Sequence, residues 1–193
     1  MRVKVNKHDA LIIVDVQYDF MPGGALPVPS GDKVVPVLND YIRIFKESRG
    51  VIVASRDWHP KDHSSFKEYG GIWPVHCVQN THGAEFHKDL KLPEDVYIVS
   101  KATERDKDAY SAFQGTQLAE YLRNQGIKRV FVGGLATDYC VKATVLDALA
   151  QGFCTFFLFD ASKGVEVNKG DVEKSIDDML NNGAIVLTLQ DII

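Results

Sequence analysis

Residues 129–152, RVFVGGLATDYCVKATVLDALAQG, decide the fold. Val130, Phe131 and Val132 form a short β-prone apolar run, the pattern of a strand covered on both faces. Gly133 and Gly134 read as its end. Thr137 or Asp138 reads as the cap of a following helix, since either can give a side-chain oxygen to an orphan first-turn N–H. Val141, Val145, Ala148 and Leu149 then recur at helical spacing, and Gly152 is a natural stop. Cys140 falls in the first turn, where the positive end of the helix dipole favours thiolate over thiol. A free cysteine is more commonly a small core hydrophobe. The nucleophile reading therefore needs a base, a charge partner and an oxyanion site from elsewhere in the chain.

Working outward, the same strand–helix unit repeats. Ala10 to Val16 is a buried-type run broken near its end by Asp15, and a helix follows with Val34, Leu38, Tyr41 and Phe45 before Gly50. Val51–Ser55 and Val96–Ser100 are the next strands, with a helix through Leu118, Ala119 and Leu122 stopping at Gly126. Thr155–Phe159 gives a fifth strand, Val172, Ile176, Met179 and Leu180 a helix, and Ala184–Leu189 a sixth strand. This alternation predicts a single-domain α/β fold over residues 1–193, a three-layer αβα arrangement with a six-stranded parallel sheet. Right-handed crossovers commonly give strand order 3-2-1-4-5-6, with the functional crevice beyond the strand C-termini where strands one and four meet. From Arg56 to about Lys91 the periodicity dissolves, and a loop of that length holding both tryptophans reads as functional rather than disordered.

Composition narrows the partner. At 193 residues and 45% apolar the chain can bury roughly 70% of its unfolded surface in one core. A formal net charge of −4 offers no basic field for nucleic acid or anionic lipid, so a small molecule is the expected partner. Self-association is left open by the sequence. No apolar run approaches a membrane span and the first residues lack a signal-peptide core, which predicts a cytoplasmic protein. Three cysteines form no framework of pairs, as in a reducing compartment, and Cys154, opening CTFFLF, reads as inert core.

Four strand tips point chemically capable residues at one crevice. Asp15 ends strand one, Asp57 and His59 follow strand two, Lys101 follows strand three and Cys140 follows strand four. Asp15 could take the thiol proton and return it to a leaving amine, or else cap a neighbouring loop. Lys101, if not merely a solvated lysine, would pair with Asp15 and favour the thiolate. In extended chain, residues two apart point the same way, so Asp57 and His59 can share one ion, with His76 folding back from GIWPVHC. One carboxylate and two imidazoles leave positions open for water or substrate and suit Zn, Fe(II) or Mn; turn-stabilising hydrogen bonds are the alternative. His63 is a fourth ligand or a partner of one. Phe20 and Trp73 either pack the loops or hold a flat substrate ring.

The motifs DVQYDF, SRDWHPKDHSSF, WPVHC, SKATERD and GGLATDYC, in this order, resemble those of the nicotinamidases and pyrazinamidases of the isochorismatase-like cysteine hydrolase superfamily. The likeness covers almost the whole chain. It implies hydrolysis of nicotinamide to nicotinate and ammonia in NAD salvage, with pyrazinamide also accepted. It also implies a catalytic triad of Asp15, Lys101 and Cys140 and one divalent metal on Asp57, His59 and His76, zinc first, with iron or manganese as alternatives. Phe20, Trp73 and Tyr110 would line the ring pocket. Backbone N–H groups of Ala136 and Cys140 would form the oxyanion hole, beside a cis peptide between Leu135 and Ala136. An amidase acting on a carbamoyl or ureido substrate is the rival reading, and a non-catalytic binding module a more distant one.

Overall fold

A computed structural model describes residues 1–193. Six parallel strands form one sheet in the order β3-β2-β1-β4-β5-β6, as the crossover rule predicts. They are β1 Asp9–Val14, β2 Val51–Asp57, β3 Tyr97–Lys101, β4 Arg129–Leu135, β5 Cys154–Lys163 and β6 Ile185–Leu187. The helices are α1 Val34–Glu47, α2 Leu118–Asn124, α3 Lys142–Ala150 and α4 Asp171–Asn181. None is long and apolar enough to cross a membrane.

The two-residue alternation of β1 divides the core between the faces of the sheet. Leu11 and Ile13 pack with Leu38, Tyr41 and Phe45 of α1, while Ala10, Ile12 and Val14 pack with Leu118, Leu122, Val145, Ala148 and Met179 of the other three helices. Every residue of β1 is buried, which is why its sequence shows a continuous apolar run. Asp9 breaks that run at its start, and its carboxylate is held by the Arg129 guanidinium through two bonds of 2.6 Å from the neighbouring strand. That ion pair pins the register at which β1 meets β4.

Several boundaries differ from those the sequence suggests. β1 stops at Val14 because Asp15 turns out of the strand with φ of 51°. Gly133 and Gly134 do not end β4; the strand runs through them to Leu135. Gly134 lies opposite Val14 with φ of 118°, and a Cβ there would run into the Val14 backbone, so glycine permits the close approach of β1 and β4 at the sheet's tip. Cys154 is exposed at the start of β5 rather than buried. The Arg56–Lys91 stretch is ordered by short 3-10 turns at Lys67–Tyr69 and His82–Ala84 and by bridges joining His59 to Val78 and Phe66 to Trp73.

Candidate active site

Parallel register brings the strand tips together. Val14 pairs with Ser55, and Asp57 pairs with Lys101, so the residues at the ends of β1, β2 and β3 are neighbours across the sheet. The Lys101 side chain is wholly buried, and its Nζ lies 2.9 Å from Asp15 Oδ2, bonds Asp57 Oδ1 and stands 3.5 Å from Cys140 Sγ. Ser55 Oγ donates to the other Asp15 oxygen at 2.8 Å. Asp15, Asp57 and Cys140 each bring an atom within 4.8 Å of the others. The predicted triad thus meets in space, and Asp57 joins it.

Burial decides the charge states. Removal from water pushes the Asp15 carboxyl above its usual range, with Lys101 opposing the shift. Burial alone would lower Lys101, but Asp15 and Asp57 outweigh it and hold the ammonium well above its ordinary value. Asp57 is the reverse case: burial would raise it, and Lys101 with His59 and His76 holds it well down. Burial pushes the Cys140 thiol well up, more than Lys101 can offset. Desolvation thus opposes the thiolate that the helix dipole favours. Cys140 lies in a π turn, Thr137–Val141, that runs directly into α3.

The expected helix cap is also absent. Thr137 Oγ1 shares a hydrogen bond with Ser162 Oγ at 2.6 Å, and the Asp138 carboxylate accepts from the N–H groups of Val165 and Glu166. Tertiary partners on the β5 side have taken both side chains from the local N–H groups. The peptide between Leu135 and Ala136 is cis, and the Ala136 N–H makes no hydrogen bond within the protein.

Asp57, His59 and His76, all buried, form a second group whose ligand atoms lie within 4.8 Å of one another. The His59 ring donates from Nδ1 to the Ala102 carbonyl at 3.2 Å, and His76 from Nδ1 to the Pro74 carbonyl at 2.8 Å, because a carbonyl can only accept. Each ring then turns its Nε2 toward Asp57 Oδ2, at 3.5 and 3.7 Å. One carboxylate oxygen and two imidazole nitrogens converging in this way can hold a cation in place of a proton, and the carbonyls at Nδ1 orient the rings as metal sites require. His63 does not join them. It stacks on His59 with ring centroids 4.3 Å apart, accepts from Ser65 Oγ at Nδ1 and donates from Nε2 to the Lys107 carbonyl, leaving no free lone pair for a metal.

Cys140 of the first group and Asp57 and His76 of the second line one cavity. Phe20, Trp73 and Tyr110 line it as expected, and so do Leu26, Val28, Leu135, Tyr139 and Val165, which the sequence did not single out. Trp73 donates from Nε1 to the Tyr110 hydroxyl at 2.9 Å and meets Tyr139 edge-on, and Phe20 tilts against His76 with centroids 5.7 Å apart. Gln17 was also missed, although it stands in DVQ two residues after Asp15. Buried whole, its amide exchanges bonds of 2.8 and 2.9 Å with the backbone of Asp57 and so fixes that carboxylate's stem.

An α/β sheet of this order with a cysteine, a carboxylate and a lysine at its switch point defines a family. The chain belongs to the isochorismatase family: residues 9–191 match the Isochorismatase domain. Among its relatives the chain is similar to the nicotinamidase of Escherichia coli (strain K12), at 40% identity over 94% of this chain and 95% of that one. The crystal structure of the Pyrococcus horikoshii pyrazinamidase in complex with zinc superposes with a TM-score of 0.91 at 56% identity, covering 94% and 99% of the two chains. PnC1 from L. infantum in complex with nicotinate gives 0.93 at 34% identity over 100% and 99%.

Proposed function

We propose that the chain is a nicotinamidase, an amidohydrolase that converts nicotinamide to nicotinate and ammonia through a thioester on Cys140, and that it takes pyrazinamide as well. The observation that carries this reading is the meeting of the Asp15–Lys101–Cys140 group and the Asp57–His59–His76 group on one aromatic-walled cavity. The relatives named nicotinamidase and pyrazinamidase support it, as does the zinc complex of the Pyrococcus protein. A cytoplasmic location and a place in NAD salvage belong to the same proposal.

Asp15, whose raised pKa suits a base that must also act as an acid, takes the Cys140 proton as sulfur attacks the amide carbon. Lys101 keeps the pair of buried carboxylates from repelling the sulfur's developing charge. The carbonyl oxygen becomes an oxyanion that accepts from the backbone N–H groups of Ala136 and Cys140. As the tetrahedral centre collapses, the C–N bond breaks and Asp15 passes its proton to the nitrogen, which leaves as ammonia. Asp15 then removes a proton from water as its oxygen attacks the thioester, and the released sulfur recovers that proton. Zinc, held by Asp57, His59 and His76, would supply a Lewis-acidic attachment point for the pyridine nitrogen. Phe20 and Trp73 hold the ring so that its carboxamide faces Cys140.

The test compares ammonia release from nicotinamide and benzamide, which has the same shape without the ring nitrogen. A site built for a polar ligand atom discriminates against the analogue lacking it by about 10⁴ or more. Equal kcat/KM for the two amides overturns the metal's role. Release from a carbamoyl substrate but not from nicotinamide overturns the substrate.

A further inference from the structure

Part of the cavity wall is supplied by the connection that follows β5. Val165 lies in the connection between the end of β5 at Lys163 and the start of α4 at Asp171, and its side chain lines the cavity. The Val165 N–H donates to Asp138 Oδ1 at 2.9 Å and the Glu166 N–H donates to Asp138 Oδ2 at 2.8 Å. Glu166 has φ of 54°, so two successive N–H groups turn to the same side and form a concavity for an anion. A carboxylate fits it, having two acceptor oxygens and no donor. Gly164 lies close beside it: a Cβ there would run into Val172 Cγ2 and meet Asp138 Oδ1 at 3.1 Å.

Beyond Glu166 the connection bonds chiefly to itself. Val167 is 60% exposed, the Gly170 N–H donates to Glu166 Oε1 at 2.9 Å, and the Asn168 N–H donates to Asp171 Oδ2 at 2.8 Å. Asp138 is the polar tie that fastens Val165 to the rest of the site. It does not line the cavity, yet it stands two residues before Cys140 in the same π turn. The turn that carries the thiol therefore also holds a wall of the pocket.

We propose that Asp138 is a positioning residue that sets substrate fit by clamping Val165 against the cavity, so that the width of the pocket is registered to Cys140. The substrate half of this proposal rests on the nicotinamidase reading; the clamp rests on the cavity alone.

Asp138→Asn keeps size but turns one acceptor into an N–H donor facing an N–H donor. The expected result is a KM for nicotinamide raised about tenfold, as for losing one apolar wall contact, with kcat within about twofold. Alkylation of Cys140 by N-phenylmaleimide should accelerate several-fold relative to iodoacetamide, because the freed wall admits the bulkier reagent. In a Val165→Ala background, Asp138→Asn should change KM by less than about twofold, since neighbours acting through one contact are not additive. Three results would overturn the proposal: unchanged KM with an unchanged alkylation ratio, an equal fall in kcat and both alkylation rates, or an undiminished effect on KM without the Val165 side chain. Should Asp138→Asn not fold, Val165→Ala alone must raise both KM and the alkylation ratio, and failure to do so refutes the clamp. If the wild type releases no ammonia from nicotinamide, the proposed function fails while the alkylation ratio still decides the clamp.

Discussion

Lys101→Met separates a buried ammonium from everything it holds. In the folded protein Nζ lies between Asp15 and Asp57, 3.5 Å from the Cys140 sulfur, and also reaches the Ala109 carbonyl at 3.4 Å. Methionine fills much of the same volume, so the loss is charge rather than packing. Removing one partner of a buried ion pair costs about 3–5 kcal/mol because the other charge is left uncompensated. For a domain of this size each kcal/mol moves Tm by about 2–4 °C, which gives a fall of roughly 6–20 °C by calorimetry at matched metal content. The fall should depend on pH. Asp15, already raised, rises further without Lys101. A carboxyl whose folded pKa exceeds its unfolded value binds more protons folded than unfolded, so stability declines as pH climbs from about 4 through the folded pKa. The gap to wild type should therefore be smaller at pH 5 than at pH 8. The iodoacetamide profile of Cys140 should shift to higher pH as well, since a cation beside the thiol is gone. A Tm within 2 °C of wild type, with an unchanged labelling profile, would refute the assignment of Lys101 to this centre (threshold on the order of the smallest shift one kcal/mol produces).

Cys140→Ala should fold as wild type and release no ammonia above background, whereas Cys154→Ala, changed at an exposed thiol, should keep its activity in the same assay. Stripping metal with a chelator should lower Tm by about 5–10 °C if the site is filled at a hundred times Kd, equivalent to about 2.7 kcal/mol, and His59→Ala should show no such response. Gly134→Ala should lose at least about 1–3 kcal/mol in urea unfolding from backbone strain alone, and more from contact with the Val14 backbone; full stability would contradict the close approach of β1 and β4.

The strand order was legible because it follows from local pattern and handedness. Runs such as ALIIV and VFV can be placed only in a sheet covered on both sides, and right-handed crossovers leave few orders for six of them. The convergence of the candidate residues was legible for the same reason, since residues at or just past strand ends meet at the switch point. What could not be read were properties set by partners far away in sequence. Gly133 and Gly134 read as a stop until their neighbours are seen: Gly134 lets β4 touch Val14 of β1, and Gly133 packs close to Ala161 of β5. Thr137 and Asp138 fit every local rule for a cap, yet Ser162 and the Val165–Glu166 backbone compete for them and win. Cys140 had the position of an activated thiol, but ionisation depends on desolvation, which only the packed structure reveals.

The sequence presented the triad and the metal ligands as two constellations, and the register of the sheet makes them one electrostatic unit. Asp57 faces Lys101 across β2 and β3, so a single ammonium is shared by the carboxylate beside the thiol and the carboxylate beside the imidazoles. Two buried carboxylates against one ammonium leave a negative charge in excess, in a place where uncompensated charge is costly. Two remedies are available to the chain: a proton on Asp15, whose pKa is raised, or a cation on the Asp57 side. A cation drawn to Asp57 competes with Lys101 for that carboxylate and frees the ammonium to serve Asp15 and the sulfur. Metal binding and thiol activation should therefore be coupled, so that the labelling profile of Cys140 shifts to lower pH when the metal is restored and does not shift in His59→Ala.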